Sequence, residues 1–489
     1  MTAGGMYRRV WRWHFYAGLV CLPFVFSLAL TGALYLFHDR IDDLVYADLL
    51  LVPAASVQNG AAAIAPGRLI ERALRFQPGQ PKAITLPDPD DRRHSTQVDI
   101  VRPDGGTQQV FLDQGSGAVL GGMAESQRLM AIVKHLHSLA LAGDGGRIVI
   151  EVVAGWIVLL MLSGTYLWWP RGRKQGVLTI RPSASGRIWW RDLHAVTGVF
   201  AAPVILFLAL SGMPWSIFWG EQVNRWISAH GLGAPPGMWS GLPLSSLPAR
   251  ALGDMPWTLQ RQPVPASVGA AGADPHAAHR AAAPAQADAA RGASDAYRLL
   301  GNAAALTPDR AVATLRAVGL AGGYRLVLPR DARGVYSAIR MPGRQDEQRV
   351  IHLDQYSGKI LFDVGAPGVS APGVEAPGVG ASRIGPFGRA IQWGVSVHQG
   401  GEYGTANRLL MLAACLATMA LCVSGVLTWW KRRPPGRLAA PPRREDDRLT
   451  RGVIGIVVLC AIVFPLLGAS ILLASLVDCA LTRRARRHC

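Results

Sequence analysis

Residues 11–37 read WRWHFYAGLVCLPFVFSLALTGALYLF, an apolar run with a histidine, His14, close to its start. A helix rises 1.5 Å per residue, so about 20 residues cross the roughly 30 Å of hydrocarbon in a bilayer. The run exceeds that length, is longer than the apolar part of a secretory signal, and is followed by no clear small-residue cleavage site. We interpret it as a retained membrane-spanning helix.

Four further segments have the same apolar character: Ile148–Trp169, Leu193–Phe218, Leu409–Trp430 and Gly452–Val477. Of the 489 residues, 50% are hydrophobic and 17% charged, a balance that excludes a disordered chain and an ordinary soluble enzyme. Lys and Arg outnumber Asp and Glu by 50 to 32. Because these cations lie beside Trp-rich segment ends and not along one soluble face, they indicate a lipid bilayer and no nucleic acid.

Three basic stretches flank the predicted spans: residues 8–12, 171–191 and 431–451. The positive-inside rule places them in the cytoplasm, which leaves the long connections 38–147 and 219–408 outside the inner membrane. A fifth spanning helix would carry the basic C-terminal tail to the outer side, against the same rule. Either the rule fails there, or Pro465 marks a helix that does not simply cross.

The chain contains an internal duplication, in which the first span repeats as the third and the second as the fourth. A shift of 180 residues aligns His14, Gly18, Pro23 and Gly32 with His194, Gly198, Pro203 and Gly212. A shift of 261 aligns His137, Gly143, Arg147, Ser163, Gly164, Trp168 and Trp169 with His398, Gly404, Arg408, Ser424, Gly425, Trp429 and Trp430. Corresponding spans run in the same direction, which predicts a pseudo-two-fold axis along the membrane normal.

Each outer connection reads as a small α+β module. A helix at 66–76 precedes strands at 83–86, 97–101 and 109–112, and a helix at 308–317 precedes strands at 324–328, 334–340 and 349–353. The second connection also contains an Ala-rich run at 266–293, with His276 and His279, and an Ala-Pro-Gly-Val stretch at 366–379. The composition of both stretches predicts linkers.

The predicted fold class is a membrane α-helical bundle, with a four-helix pseudo-two-fold core, a fifth C-terminal apolar helix and two small α+β modules. In the first half, the predicted boundaries are 1–37 for the first transmembrane helix, 38–130 for the first module, and 131–218 for an outer histidine segment with spans two and three and their cytoplasmic loop. In the second half, they are 219–390 for the outer region with its linkers and module, and 391–430 for the second outer histidine segment and span four. Residues 431–489 contain the basic loop, the fifth helix and the tail.

Four histidines are the candidate functional residues: His14, His194, His137 and His398. Ionisable groups at the edge of hydrocarbon are costly and tend to mark function. The pseudo-two-fold axis sets the first two against each other near the cytoplasmic face and the last two near the outer face. Two imidazoles that approach from opposite sides suit the axial positions of a haem iron, and a proton relay or a structural set is the alternative. His135 is a spare candidate, but its shifted partner is Ser396.

These residues resemble the PepSY-associated transmembrane helix proteins, a family that includes iron-regulated inner-membrane ferric-siderophore reductases. The resemblance covers nearly the whole chain. It rests on Trp13-His14-x-x-x-Gly18, Leu193-His194-x-x-x-Gly198, Leu136-His137 leading to Gly143 and Arg147, Ser163-Gly164 through Trp168-Trp169-Pro170, and the Leu-Asp-Gln segments that begin at Leu112 and Leu353.

The resemblance implies a dihaem b-type inner-membrane protein with PepSY-like modules in the periplasm. His14, His194, His137 and His398 would be the axial ligands of two b haems. The implied activity is that of an oxidoreductase that reduces siderophore-bound iron(III) to iron(II). Its partners would be a ferric siderophore and a separate electron donor, which is a quinol, a flavoprotein or a ferredoxin, because the chain has no Gly-x-Gly-x-x-Gly fingerprint. A cytochrome for another periplasmic acceptor and a non-enzymatic PepSY regulatory or binding protein are the alternatives.

Overall fold

The computed structural model describes residues 3–53, 63–89, 91, 93–171, 177–181, 186–232, 244–267, 306–365, 385–433 and 451–487. The chain forms two compact units: a helical unit of Met1–Phe37, Val133–Asn224 and Gly394–Cys489, and a sheet unit of His38–Ile132 and Arg225–Trp393. The predicted linker at 366–379, His276 and His279 lie outside the described residues.

Helices and strands are numbered in chain order. The described helices are α1 (Ala3–Tyr35), α2 (His38–Val45), α3 (Ala47–Leu50), α4 (Pro66–Phe76), α5 (Leu129–His137), α6 (Gly143–Trp168), α7 (Gly186–Gly212), α8 (Trp219–Ala229), α9 (Pro308–Ala317), α10 (Pro386–His398), α11 (Gly404–Trp430), α12 (Arg451–Val463) and α13 (Pro465–Arg487). The described strands are β1 (Gln80–Leu86), β2 (Thr96–Val101), β3 (Thr107–Leu112), β4 (Val119–Ala124), β5 (Leu244–Pro248), β6 (Pro263–Pro265), β7 (Tyr324–Val327), β8 (Val335–Arg340), β9 (Arg349–Asp354) and β10 (Ile360–Gly365).

Four helices of the helical unit, α1, α6, α7 and α11, are long and apolar enough to cross a membrane. They coincide with the first four predicted spans. Helix α1 packs against α6 and α11, and α7 packs against the same two helices. Each helix of this four-helix bundle therefore lies diagonally opposite its own duplicate, as a pseudo-two-fold axis through the bundle requires.

The fifth apolar segment differs from the single helix that the sequence predicts, because it forms two shorter helices, α12 and α13. The chain turns so sharply between them that a Cβ atom on Gly468 would lie 3.0 Å from Cβ of Ala461. In a straight helix, residues seven positions apart are separated by about 10 Å. Pro465 has no N–H and a fixed φ, which explains the break. Helix α13 packs on α6, where a Cβ atom on Gly155 would lie 2.9 Å from Cβ of Leu467.

The sheet unit contains one eight-stranded antiparallel sheet, in the order β10-β9-β8-β7-β1-β2-β3-β4. The helix and three strands predicted for each module are present, but the modules share this sheet because β1 pairs with β7, with Ile84 opposite Leu326. The pairing leaves neither of these two strands with an open edge. The last strand of each module, β4 and β10, is not predicted from the sequence. Strand β4 reads VLGGMA, and its two glycines weaken a strand pattern.

Apolar packing and a buried ion pair help to hold the two repeats of the sheet unit together. Helices α4 and α9 bury Ile70 and Leu315 in the same apolar core as Ile84 of the sheet. Asp99 on β2 is buried, and it accepts hydrogen bonds from Nη2 and Nε of Arg325 on β7 at 2.7 and 3.1 Å. The buried pair crosses the boundary between the first repeat and the second.

His94 in the sheet unit links two acidic residues. Its Nδ1 lies 2.6 Å from Oδ2 of Asp91, and its Nε2 lies 3.0 Å from Oδ1 of Asp43. Ionised carboxylates only accept hydrogen bonds, so both ring nitrogens donate and the imidazole is protonated. Partial burial of His94 acts to lower its pKa, but the hydrogen bonds and charges of Asp43 and Asp91 outweigh burial and raise the pKa above 6.5.

We expect His94 to make the stability of the sheet unit depend on pH. A pKa raised by folding adds stability that is fully present below the unfolded value of 6.5 and is lost as the pH rises through the folded value. The unit should therefore resist urea better below pH 6.5 than above it, and His94→Gln should remove most of that difference. The measurement is urea-induced loss of β-sheet circular dichroism in the full chain in detergent. His230→Gln is the control, since Nδ1 of His230 bonds a backbone carbonyl; an equal effect of both variants would contradict the prediction.

Candidate functional site

The structure brings the four predicted histidines together in two pairs, all within the helical unit. His14 lies on α1 and His194 on the diagonal helix α7, and their rings are close enough to interact electrostatically. His137 ends α5 and His398 ends α10, and these two rings interact in the same way. The spare candidate His135 is exposed. The pairs are those that the duplication predicts, while the ligand role of the rings stays a prediction.

Each histidine is held at Nδ1 by a hydroxyl group on a membrane-spanning helix. The Nδ1 atoms lie 2.9 Å from Ser163 Oγ for His14, 3.1 Å from Ser424 Oγ for His194, 2.9 Å from Thr31 Oγ1 for His137 and 2.9 Å from Ser211 Oγ for His398. Ser163 and Ser424 are duplicates of each other, and so are Thr31 and Ser211. The same contact is therefore built four times, from both halves of the chain.

These contacts fix which ring nitrogen carries the proton. The hydroxyls of Ser163, Thr31 and Ser211 each lie 2.6 Å from a carbonyl oxygen one turn earlier in their own helix. A hydroxyl has one proton, so once it donates to that carbonyl it accepts from the histidine. Nδ1 of His194 also lies 3.2 Å from the carbonyl oxygen of Leu421, which can only accept. Nδ1 is therefore the donor in every ring, and Nε2 keeps the lone pair that binds metals.

The four Nε2 atoms have no hydrogen-bond partner among the residues that the structure describes. The rings lie deep among protein atoms, yet each histidine is only half-buried by accessible surface. Part of each histidine is therefore accessible although the ring is surrounded by protein atoms. The lone pairs of the Nε2 atoms are therefore not used by a hydrogen bond within the described residues.

The donor set fits haem better than a bare metal ion. No group of three or more His, Cys, Asp or Glu side chains that could hold a metal occurs within the described part of the chain. Zinc and non-haem iron centres use at least three such ligands, whereas a haem needs only two axial ones, because the porphyrin supplies the rest. A pair of neutral imidazoles near each end of the bundle thus fits the number of protein ligands that two b haems would need.

A glycine follows each of the four hydroxyl residues and makes room for a histidine ring. A Cβ atom would lie 3.2 Å from Cε1 of His14 on Gly164, and 3.4 Å from Cε1 of His194, His137 and His398 on Gly425, Gly32 and Gly212 respectively. The separation at Gly164 is shorter than ordinary van der Waals contact, and the other three are at the short limit of that contact. Each hydroxyl-glycine dipeptide therefore bonds a histidine at Nδ1 and fits against the edge of its ring.

Gly18 and Gly198 lie one turn after His14 and His194 and have a different environment. A Cβ atom on Gly18 would meet only Leu160, at 3.9 Å, and one on Gly198 would meet only Leu421, at 3.5 Å. Packing between protein atoms therefore does not require glycine at either position. The repeat therefore leaves room for a side chain at both positions, one turn after His14 and His194.

Gly164→Ala is expected to destabilise the helical unit. The new methyl group would press on the His14 ring, which its bond to Ser163 prevents from moving away, and such overpacking costs about 1–3 kcal/mol. Alanine recovers at most roughly 1 kcal/mol through its higher helix propensity. The thermal unfolding midpoint of the detergent-solubilised protein should therefore fall. Gly455→Ala on α12 is the control, because nothing lies within 4 Å of its added Cβ atom; a rise in the midpoint for both variants would contradict this expectation.

A buried ionic cluster precedes His194 and escapes the sequence analysis. Asp192 is fully buried, and its carboxylate accepts from Nε of Arg181 at 2.8 Å and from Nη2 of Arg191 at 2.7 Å. A buried carboxylate is costly unless it is paired and hydrogen-bonded, and here both oxygens are satisfied. The cluster fixes the first turns of α7, which carry His194.

A second buried acid, Glu151, lies inside the membrane-spanning helix α6. Its oxygens accept the backbone N–H groups of Phe218 at 2.8 Å and Trp219 at 3.0 Å, where α8 begins. A carboxylate is favourable at a helix N-terminus, where N–H groups have no partner in the helix. The bonds hold the turn after α7, in which the Trp215 ring packs edge to face on His398 with 5.7 Å between centroids. Glu151 therefore acts on His398 indirectly, by positioning the segment that carries Trp215.

The hydroxyl residues are the main feature of the site that the sequence analysis misses. Ser163 and Ser424 are in the aligned sets without an assigned role, and the shift of 180 residues also places Thr31 on Ser211. A signal was therefore available: a hydroxyl residue followed by glycine recurs in all four predicted spans. Serine and threonine in membrane helices commonly bond their own backbone, so the recurrence alone does not reveal a histidine partner.

A family model described as the PepSY-associated TM region matches residues 11–432. The matched range contains the four histidines, their four hydroxyl partners and the eight-stranded sheet. A search of curated proteins gives no match.

Proposed function

The chain belongs to the PepSY-associated transmembrane family, and from that premise we propose that it is a dihaem b-type oxidoreductase of the bacterial inner membrane. It would pass electrons outward from the side of His14 and His194 to the side of His137 and His398, and reduce siderophore-bound iron(III) to iron(II). The arrangement of the four imidazoles carries this proposal: they form two pairs, and in every ring Nδ1 is bonded while Nε2 has no partner among the described residues.

The separation of the two pairs supports transfer across a membrane. His14 and Thr31 are 17 residues apart on α1, and Thr31 holds His137; His194 and Ser211, which holds His398, have the same separation on α7. At 1.5 Å per residue this separation is about 25 Å, compared with roughly 30 Å for the hydrocarbon core. One redox group near each surface would let electrons cross a layer that otherwise blocks charge.

A haem iron, when bound, supplies one-electron chemistry by changing between its ferric and ferrous states. The chain's residues set the position and charge of the ligands. Hydroxyl partners hold each imidazole as the neutral Nδ1–H tautomer, and no carboxylate is placed to pull that proton away among the described contacts of the rings. Glycines beside the rings keep their orientation, so the ligands are preorganised before any group binds.

The proposed substrate follows from the resemblance and from coordination chemistry. Hard oxygen donors hold iron(III) more firmly than iron(II), so one added electron loosens the complex without cleaving the chelator. In this proposal the sheet unit lies in the periplasm. The electrons come from a separate quinol, flavoprotein or ferredoxin, since the sequence contains no dinucleotide-binding fingerprint.

A visible spectrum of the detergent-solubilised protein tests the proposal directly. We expect a Soret band that dithionite reduces, a haem content of two per chain, and reoxidation of the reduced protein by a ferric siderophore. A protein without a reducible Soret band would exclude electron transfer and leave a binding or regulatory role. Reoxidation by a copper(II) complex or a redox protein, but not by ferric siderophores, would instead indicate another periplasmic acceptor.

A further inference from the structure

An arginine at the outer end of the bundle, Arg408, has a buried N–H group with no hydrogen-bond acceptor. Arg408 occupies the fifth position of α11, and its Nε is buried without a hydrogen-bond partner. No ion pair to Arg408 occurs among the described residues, and its guanidinium lies over the Phe37 ring at 5.9 Å. A buried guanidinium N–H without an acceptor costs free energy, so an anion that reached this group would be stabilised.

The surroundings of Arg408 also favour a negative charge. The first turn of α11 contains no acidic residue. The loop after His398 lies directly against this arginine, because a Cβ atom on Gly400 would be 3.2 Å from Cα of Arg408. The anion would therefore bind beside the outer histidine pair.

The height of Arg408 in the bundle relates it to the outer site. Cys415 is seven residues further along α11, on the same helix face and about 10 Å deeper. Its Sγ would lie 3.6 Å from a Cβ atom on Gly32, which in turn would lie 3.4 Å from Cε1 of His137. Arg408 is thus placed outward of the imidazole level, where a carboxylate at the edge of a ligated ring could reach it.

The duplication provides a second arginine in the equivalent place. Arg147 occupies the fifth position of α6, ten residues after His137, just as Arg408 follows His398. Its partner is Asp144, at 3.4 Å, and the Asp144 side chain is largely exposed, so this ion pair is weak. A b haem has two carboxylate side chains, and the repeat offers two arginines at the outer end.

We propose that Arg408 binds a propionate carboxylate of the outer haem, and that Arg147 occupies the equivalent position for the other propionate. The inference rests on the proposed function, since it needs a haem at His137 and His398. Arginine presents a planar fork of N–H groups that matches a carboxylate, so the contact would both orient the haem and neutralise its charge. A cation held beside the ring favours the ferrous state, which carries one positive charge less.

Arg408→Gln is the test, in a His14→Ala background that leaves the outer haem as the observable one. We expect a more negative midpoint potential in a spectroelectrochemical titration without acceptor, and faster loss of haem to apomyoglobin. Arg408→Lys should keep most of the potential, because it keeps the charge, but should still lose haem faster. If Arg408→Gln fails to fold, the rate of haem loss from Arg408→Lys is the test. Lys134→Gln, which removes an exposed cation three residues before His137, is the matched control and should change neither quantity.

The outcomes separate failure of this inference from failure of the proposed function. A parent protein without haem would overturn both. If the unmodified protein binds two haems, and Arg408→Gln has the same midpoint potential and the same rate of haem loss as Lys134→Gln, the inference alone is overturned. A variant with unchanged potential and haem retention that needs more ferric siderophore for half-maximal reoxidation would assign the anion to the acceptor, and would also overturn it.

Discussion

Replacing His14 or His194 with alanine is expected to remove one of two haems and to leave the other in place, and replacing His137 or His398 should do the converse. Each haem needs an axial ligand from both members of a pair, so loss of either ring should have the effect of losing both. The double variant His14→Ala with His194→Ala should therefore lose no more haem than either single variant. Pyridine haemochrome assays on purified protein, normalised to chain concentration, measure this content.

Substitutions beside the histidines control for general misfolding. Ser163→Ala removes the hydrogen bond to Nδ1 of His14 but keeps Nε2, so the inner haem should remain, held more weakly and with a shifted potential. His135→Ala removes an exposed histidine on the same helix as His137 and should leave both haems. Unchanged haem content in all four ligand variants would refute the assignment. Loss of both haems from every single variant, with unchanged helical circular dichroism, would contradict two independent sites.

The pairing of the histidines could be predicted from sequence because the chain is duplicated. Alignment of His14 with His194 and of His137 with His398 fixes their symmetry before any contact is known. Hydropathy supplies the helices, and the common direction of duplicate spans supplies the axis. The diagonal packing of α1 and α7 places the rings as that symmetry requires. Residue identity and spacing therefore sufficed for the pairs, although not for what holds them.

Features that depend on contacts between distant segments were beyond the sequence. Strand β1 pairs with β7 across more than 200 residues, and nothing in either strand marks an edge that will be covered. The fifth apolar segment has the composition of a span, but hydropathy does not show where a chain reverses its direction. Pro465 indicated that the helix could be interrupted, but not that the segment forms two packed helices. The buried state of Asp192 depends in the same way on Arg181, which lies on a preceding loop.

Removal of the outer histidine pair is also expected to abolish reduction of an external ferric chelate in proteoliposomes that hold a reductant on the side of His14. With His137→Ala, the inner haem should still become reduced, but the rate of iron(II) formation outside should fall to that of vesicles without protein. The histidine levels are about 25 Å apart along the helices, so an inner haem alone leaves most of the apolar layer between electron and acceptor. Trapping of iron(II) by an external chromogenic chelator measures the rate, and the visible spectrum reports the inner haem.

The inner-pair variant supplies the opposite pattern, which tests direction as well as pathway. With His14→Ala, the internal reductant should leave the outer haem oxidised, whereas dithionite added outside should reduce it at once. In His137→Ala the internal reductant reduces the remaining haem, and in His14→Ala it does not. Only two haems in series across the bilayer produce this opposite result in variants that each retain one haem. Equal external reduction by His137→Ala and the unmodified chain would show that electrons leave without the outer pair. The four imidazoles would then be separate sites, and the bundle would not be a transmembrane electron carrier.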